Sequence, residues 1–283
     1  MFKLFNFILF LFLSFPSNIA SAESNSFSIP RSEIVEIGDI KNERIYPLFI
    51  KLPRSYNRNT RQNYPVIYLT DAWYSFQIVS GATRFPMNTG KIQEAIIVGI
   101  SYEKGAKGDT SRVRDYTPHK ASAWKKETGG AYSHAAFIKN HVFKYIDENY
   151  RTDKVNRTFV GNSLGGLFGS YILLTDPNMF NNYILGSPSF WFNNKSLFKT
   201  EALMPANNID QPINVFVGIG EQEAISFGNQ YDMVNDAKVF IKTINHIHGS
   251  KVNSKLLVIP EADHYTAFPT TAVQGIDWIY RVK

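Results

Sequence analysis

Arg157-Thr158-Phe159-Val160-Gly161-Asn162-Ser163-Leu164-Gly165-Gly166 is the stretch on which the fold turns. Its first four residues read as a short strand, and Leu164 to Leu174 reads as a helix. Between them stands G-x-S-x-G, and strand, glycine-flanked serine and helix in that order make a nucleophile elbow. The glycines let the backbone turn sharply, so the Ser163 hydroxyl projects above the sheet. The N–H groups at the start of the helix then face any oxyanion that develops beside it.

Outward from the elbow, Val- and Ile-rich runs recur at Pro65–Leu69, Ala95–Ile100, Ile213–Val217 and Leu256–Ile259. Their length and continuous apolarity predict buried, largely parallel strands. Helices are predicted between them. In His134–Tyr150 the residues Phe137, Ile138, His141, Val142 and Tyr145 form an i, i+3, i+4 stripe. Two more are predicted, at Asp232–His246 and Thr271–Arg281. Strands alternating with helices imply a layered α/β protein with helices on both faces of the sheet. Together with the elbow this predicts the α/β-hydrolase fold. Ser32–Leu52 alternates in a way that fits antiparallel strands leading into the sheet, and Glu103–Gly130 is the least regular stretch.

A serine hydroxyl is a weak nucleophile at neutral pH, so an imidazole must take its proton and later return it. In this fold the chain order is serine, acid, histidine, which leaves His246, His248 and His264. His264 is the choice. It follows the strand Leu256–Ile259 in a short loop, at the carboxyl end where open α/β sheets carry ligands, whereas His246 and His248 fall at a helix end. The acid belongs after Ile213–Val217, in Gly218-Ile219-Gly220-Glu221-Gln222-Glu223. Glu223 is the first choice and Glu221 the second, with Asp232 and Asp236 as outside candidates.

Composition narrows the chemistry. The 283 residues are 44% hydrophobic and 19% charged, enough for one sizeable core, and they include no cysteine. Disulfides, thiolate metal sites and cysteine nucleophiles are thereby excluded. The net charge of +6 is spread without a dense basic block, so nucleic-acid binding is not indicated. Gly218-Ile219-Gly220 opens like a dinucleotide fingerprint but has Glu223 where the third glycine belongs. His246-Ile247-His248 has the wrong spacing for a helical metal pair. No cofactor and no metal are expected.

The N-terminus reads as an export signal: Lys3, an apolar run from Leu4 to Phe15, a break at Pro16, and small residues Ala20 and Ala22 before a cleavage point. The run is shorter than the roughly 20 residues a spanning helix needs. The expectation is a signal peptide over 1–22 and one domain over 23–283, secreted or periplasmic, with no stable membrane association after cleavage. An uncleaved anchor is the alternative.

Beyond the elbow, several segments carry a family resemblance: Pro65-Val66-Ile67-Tyr68-Leu69-Thr70-Asp71, Val98-Gly99-Ile100, Arg112-Val113-Arg114-Asp115-Tyr116-Thr117-Pro118 and Ser187-Pro188-Ser189-Phe190-Trp191. From about Tyr46 to the C-terminus the chain resembles the esterase family of esterase D, the mycolyltransferases and the siderophore esterases. The Arg-Asp-Tyr-Thr-Pro and Ser-Pro-Ser-x-Trp segments look most like the siderophore-esterase branch, whose members cleave catecholate trilactones. The resemblance implies oxyanion donors at the backbone N–H groups of Leu164 and Trp73. It departs from the family at Ala72, where a glycine is usual, which would restrict a loop carrying Trp73. It also implies the acid at the end of Gly220-Glu221-Gln222-Glu223. Arg112 and Arg114 keep two readings, recognition of an anionic substrate or a buried pairing with Asp115. Trp191 and Trp73 could each stack on an aromatic acyl group or simply wall the cleft.

The expected function is hydrolysis of a small-molecule carboxylic ester through an acyl-Ser163 intermediate. An acyltransferase using the same intermediate, and a secreted binding module with a disabled site, are the alternatives. Oligomeric state is left open.

Overall fold

In the computed structural model, residues 26–107, 109–199 and 209–282 are described. The expected export signal lies outside them. Among the described residues no helix is long and apolar enough to cross a membrane.

The Val- and Ile-rich runs form strands because β-branched side chains pack well on a pleated surface buried on both faces. The strands are β1 (Ser32–Asp39), β2 (Arg44–Lys51), β3 (Tyr64–Leu69), β4 (Ile96–Ile100), β5 (Thr152–Asn162), β6 (Asn182–Gly186), β7 (Ile213–Gly220) and β8 (Val252–Ile259). They make one eight-stranded sheet in the order β1-β2-β4-β3-β5-β6-β7-β8. β1 pairs antiparallel with β2, and β2 antiparallel with β4. All pairings from β4 through β3 to β8 are parallel. This is the α/β-hydrolase architecture expected from the elbow.

Each strand from β2 to β8 splits its side chains between two cores. Val66 and Tyr68 of β3 and Val215 and Val217 of β7 join one, with Leu167, Phe168 and Ile172 of α5 (Leu164–Thr175) and Phe240 and Ile244 of α7 (Met233–His248). Ile67, Leu69 and Phe216 join the other, with Phe76 and Val79 of α1 (Ala72–Asn88) and Phe268 and Ile276 of α8 (Ala267–Tyr280). Each such side chain taken fully out of water contributes about 1.5–3 kcal/mol before ordering costs. The period-two alternation fixes the register, since a one-residue slip would exchange the two faces.

Several elements differ from the sequence reading, among them α6 (Phe192–Lys199), where no helix was expected. β6 was not anticipated: it is five residues long, with Asn182 and Gly186 bounding only three apolar residues. α1 was not anticipated either, and Trp73 lies in its first turn instead of in a loop. Within the irregular stretch Glu103–Gly130 the chain forms α2 (Thr110–Tyr116). The predicted helix over His134–Tyr150 is realised as α3 (Ala131–Phe137), a π-helical turn over Ile138–Val142, and α4 (Phe143–Asn149).

Because β3, β5, β6, β7 and β8 run parallel, their carboxyl ends emerge on one edge. The segments that follow them carry Asp71, Ser163, Ser187, Glu223 and His264 respectively. Ligand sites of open α/β sheets lie at this edge.

Candidate active site

Ser163 sits between β5 and α5 with φ 58° and ψ −116°. A non-glycine residue in this region costs on the order of 1–3 kcal/mol and persists only where its surroundings hold it. Here its N–H donates to the Gly186 carbonyl at 2.8 Å, and its carbonyl accepts from the Ser189 N–H at 3.1 Å. The unanticipated strand β6 and the segment that follows it therefore anchor the elbow on both sides of its strained residue. At Gly161 any Cβ would overlap the Gly165 carbonyl, so the turn needs glycine for close approach.

Three side chains form a hydrogen-bonded line. Ser163 Oγ lies 3.0 Å from His264 Nε2, and His264 Nδ1 lies 2.6 Å from Glu223 Oε2. With Nδ1 protonated toward the carboxylate, Nε2 is left as the acceptor for the serine hydroxyl. Glu223 is only 3% exposed. Its other oxygen, Oε1, accepts from Ser187 Oγ at 2.6 Å and from the Gly220 N–H at 2.8 Å. A buried carboxylate needs such donors, and two of the three come from groups that do not titrate near neutrality. Ser189 Oγ approaches Ser163 Oγ at 3.1 Å.

The alternative acids are employed elsewhere. Glu221 is exposed and accepts from the Glu261 N–H at 3.0 Å, tying the loop after β7 to the loop after β8. The Gln222 N–H donates to the Ala262 carbonyl at 3.0 Å across the same pair of loops. Asp232 caps α7 by accepting from the Asn235 N–H, and Asp236 pairs with Lys195 at 2.6 Å. His246 and His248 close the last turn of α7.

Leu164 is the first residue of α5, and Trp73 is the second of α1. Amides in a first helical turn have no intrahelical acceptor and lie at the positive end of the helix. The departure at Ala72 has a local resolution. Ala72 is itself helical, and the left-handed backbone angle falls on Asp71, at φ 56°. Asp71 is held there by Arg112, whose Nε and Nη2 donate to its two carboxylate oxygens at 2.7 and 3.3 Å. The Asp71 N–H also donates to the Tyr116 hydroxyl at 3.3 Å. Burial raises the Tyr116 phenol well above its ordinary value, so it stays neutral. Burial works against the Arg112 charge, and the pull of Asp71 with Tyr116 and Tyr102 outweighs it, raising its pKa.

Both arginines proposed for substrate are committed to the protein. Arg112 also donates from Nη2 to the Asn162 carbonyl at 3.2 Å. Arg114 is 7% exposed, forks onto Asp115 at 2.7 and 3.0 Å and reaches Glu103 at 2.8 Å. With its Nη2 donation to the Tyr46 hydroxyl at 3.1 Å, four of its N–H groups are engaged, which favours the buried pairing with Asp115 over a substrate contact. Trp191 stacks on Tyr231 with ring centroids 5.0 Å apart and on Trp124 at 6.3 Å. Trp73 is 60% exposed, edge-on to Phe49.

An open cleft of about 500 Å³ lies over His264 and Glu223, with Phe227, Tyr231, Met233 and Tyr265 among its walls. Sequence reasoning gave no role to Ser187, Ser189 or Asp71, although the segments containing them were singled out as family-like. The signal was their position just past strand ends, invisible for the two serines without β6.

The profile of the family described as “Putative esterase” matches residues 41–245. Ferri-bacillibactin esterase BesA of Bacillus subtilis is 37% identical over 218 residues, covering 71% of this chain and 73% of that protein. The BES protein of Bacillus cereus superimposes with a TM-score of 0.80 at 28% identity, covering 93% of this chain and 99% of that one. Siderophore hydrolase EstA of Aspergillus nidulans shares the fold at 18% identity, with a TM-score of 0.76 over 92% of this chain and 98% of that one. On these grounds the chain belongs to that esterase family, and it is an α/β-hydrolase-fold enzyme acting on ester bonds.

Proposed function

We propose that this protein is a serine esterase that opens siderophore esters of the catecholate trilactone class, with Ser163 as nucleophile, His264 as base and Glu223 as the acid. The observation that carries the chemistry is the line Ser163 Oγ, His264 Nε2, His264 Nδ1, Glu223 Oε2, with 3.0 and 2.6 Å separations. His264 takes the serine proton as Oγ attacks the ester carbonyl, and the N–H groups of Leu164 and Trp73 receive the developing oxyanion. The imidazolium then protonates the departing alkoxide, leaving an acyl-serine. Water, deprotonated by His264, attacks that acyl group, and the proton returns to Ser163 Oγ as the acid departs.

The substrate class rests on the relatives: BesA acts on ferri-bacillibactin, and the fungal structure is a siderophore hydrolase. The cleft wall suits aromatic acyl groups, since Tyr231 is backed by Trp191 in a near-parallel stack. An enzyme meeting exported siderophore complexes also suits the N-terminal export signal read from the sequence, and we place the mature protein outside the cytoplasm.

The test is a panel of p-nitrophenyl esters of rising chain length beside a catecholate trilactone with and without iron. The expected result is trilactone preference, with fluorophosphonate labelling confined to Ser163. Absence of Ser163 labelling would remove the mechanism, and equal cleavage of simple alkyl esters would remove the substrate class.

A further inference from the structure

A second cavity, of about 430 Å³, lies between α1, the end of β2 and the chain entering β1. Its walls differ in character. Phe27, Ile29 and Pro30 supply an apolar side, and Phe27 is 90% exposed. The other side carries Arg31, Lys51 and Arg84, with no carboxylate in the lining.

Lys51 is the unusual member. It is the last residue of β2, is 4% exposed, and its ammonium has no hydrogen-bond or ion-pair partner among the described residues. Ser80, on the α1 face of the same cavity, has a buried hydroxyl with no partner among the described residues. Burial first, then Arg31 and Arg84, lower the Lys51 pKa to about 8, and Glu94 acts weakly in the opposite direction. The Glu94 carboxylate is itself engaged by the Ser55 N–H and hydroxyl. A desolvated cation flanked by two more, without a counterion, costs free energy that a bound anion would offset.

We propose that this cavity is a binding site for an amphipathic monocarboxylate, separate from the ester-cleaving cleft. The carboxylate head takes Lys51, with Arg84 and Arg31 beside it and the Ser80 hydroxyl as a further donor. The apolar body lies against Phe27, Ile29 and Pro30, which explains why exposed apolar residues face a cationic floor.

Calorimetric titration of the full chain with acetate, butanoate, hexanoate and octanoate tests both halves. Affinity is expected to rise about fourfold per methylene as the body buries surface. Lys51→Met should weaken octanoate binding about tenfold, through loss of one charge-assisted contact, with ester hydrolysis unchanged. Ligand-free Lys51→Met should melt at or above the wild type, because an unpaired buried charge is gone. As a measure independent of that variant, the Lys51 resonance of ¹³C-dimethylated protein should titrate near pH 8 and move up about one unit with saturating octanoate. Octanoate binding undiminished by Lys51→Met, acetate binding as tightly as octanoate, or a Lys51 resonance indifferent to octanoate would each overturn the proposal.

Discussion

Arg112 grips Asp71 with two nitrogens, at 2.7 and 3.3 Å, and extends one of them to the Asn162 carbonyl at 3.2 Å. Asp71 immediately precedes the helix that begins with Ala72 and Trp73, and Asn162 immediately precedes Ser163. One guanidinium thus sets the spacing between the two backbone segments that supply the proposed oxyanion donors.

Arg112→Lys keeps the charge but loses the planar fork. Its expected effect is a fall in kcat of about 10–100-fold with KM little changed, the pattern of a misplaced transition-state donor. Steady-state kinetics and a parallel slowing of fluorophosphonate labelling check it. A rise in KM alone would instead mark Arg112 as a substrate contact.

Glu223→Gln retains size but can present an amide N–H to His264 Nδ1, favouring the wrong tautomer. The expected loss in kcat is about 10²–10⁴-fold. Glu221→Ala breaks only its tie to the Glu261 N–H, so activity should stay within about a few-fold of wild type. Activity assays on the two variants side by side decide which carboxylate serves.

Ser163→Ala removes the proposed nucleophile, a hydroxyl within reach of both His264 and Ser189. Ester cleavage should fall about 10⁴-fold or more while circular dichroism is unchanged. A melting temperature equal to or above wild type would follow if alanine tolerates the strained backbone no worse.

His134 is buried among Tyr46, Tyr116, Phe137 and Phe168, and its Nε2 has no hydrogen-bond partner among the described residues. Burial lowers its pKa from 6.5, and the opposing pull of Asp115, 4.0 Å away, is the smaller effect. A folded value below the unfolded one means the stabilisation is complete above pH 6.5 and is lost as pH falls toward the folded value. His119 and His248 shift in the same direction through burial. Melting temperature should therefore decline from pH 7 to pH 5, and His134→Phe should make that decline shallower.

Gly220 stands where a Cβ would overlap the Ala262 carbonyl, at the junction of the loops that carry Glu223 and His264. Gly220→Ala should destabilise by about 1–3 kcal/mol through overpacking and lower activity as well. Denaturant unfolding of this variant measures the first effect.

Strand and helix types were legible where the period was strong and the apolar run long, as in Ile96–Ile100 and Ile213–Val217. Ser163, His264 and Glu223 could be picked out because elbow, chain order and loop position each depend on neighbours in sequence. β6 escaped because Tyr183-Ile184-Leu185 is too short to declare itself, and the roles of Ser187 and Ser189 escaped with it. α1 escaped although Phe76, Val79 and Met87 share its buried face, since Gly81, Pro86 and scattered serines mask the helical period. The employment of Arg112 by Asp71 depends on residues 41 positions apart, a pairing that no local pattern encodes.

The stitching of Glu221 to the Glu261 N–H and of Gln222 to the Ala262 carbonyl makes the carboxylate and the imidazole travel as a unit. Ser187, one residue beyond the Gly186 carbonyl that holds the Ser163 N–H, carries the same stitching from Glu223 across to the elbow. The three side chains therefore stand in one shared frame before any ligand arrives, which leaves little reorganisation for the moment of reaction.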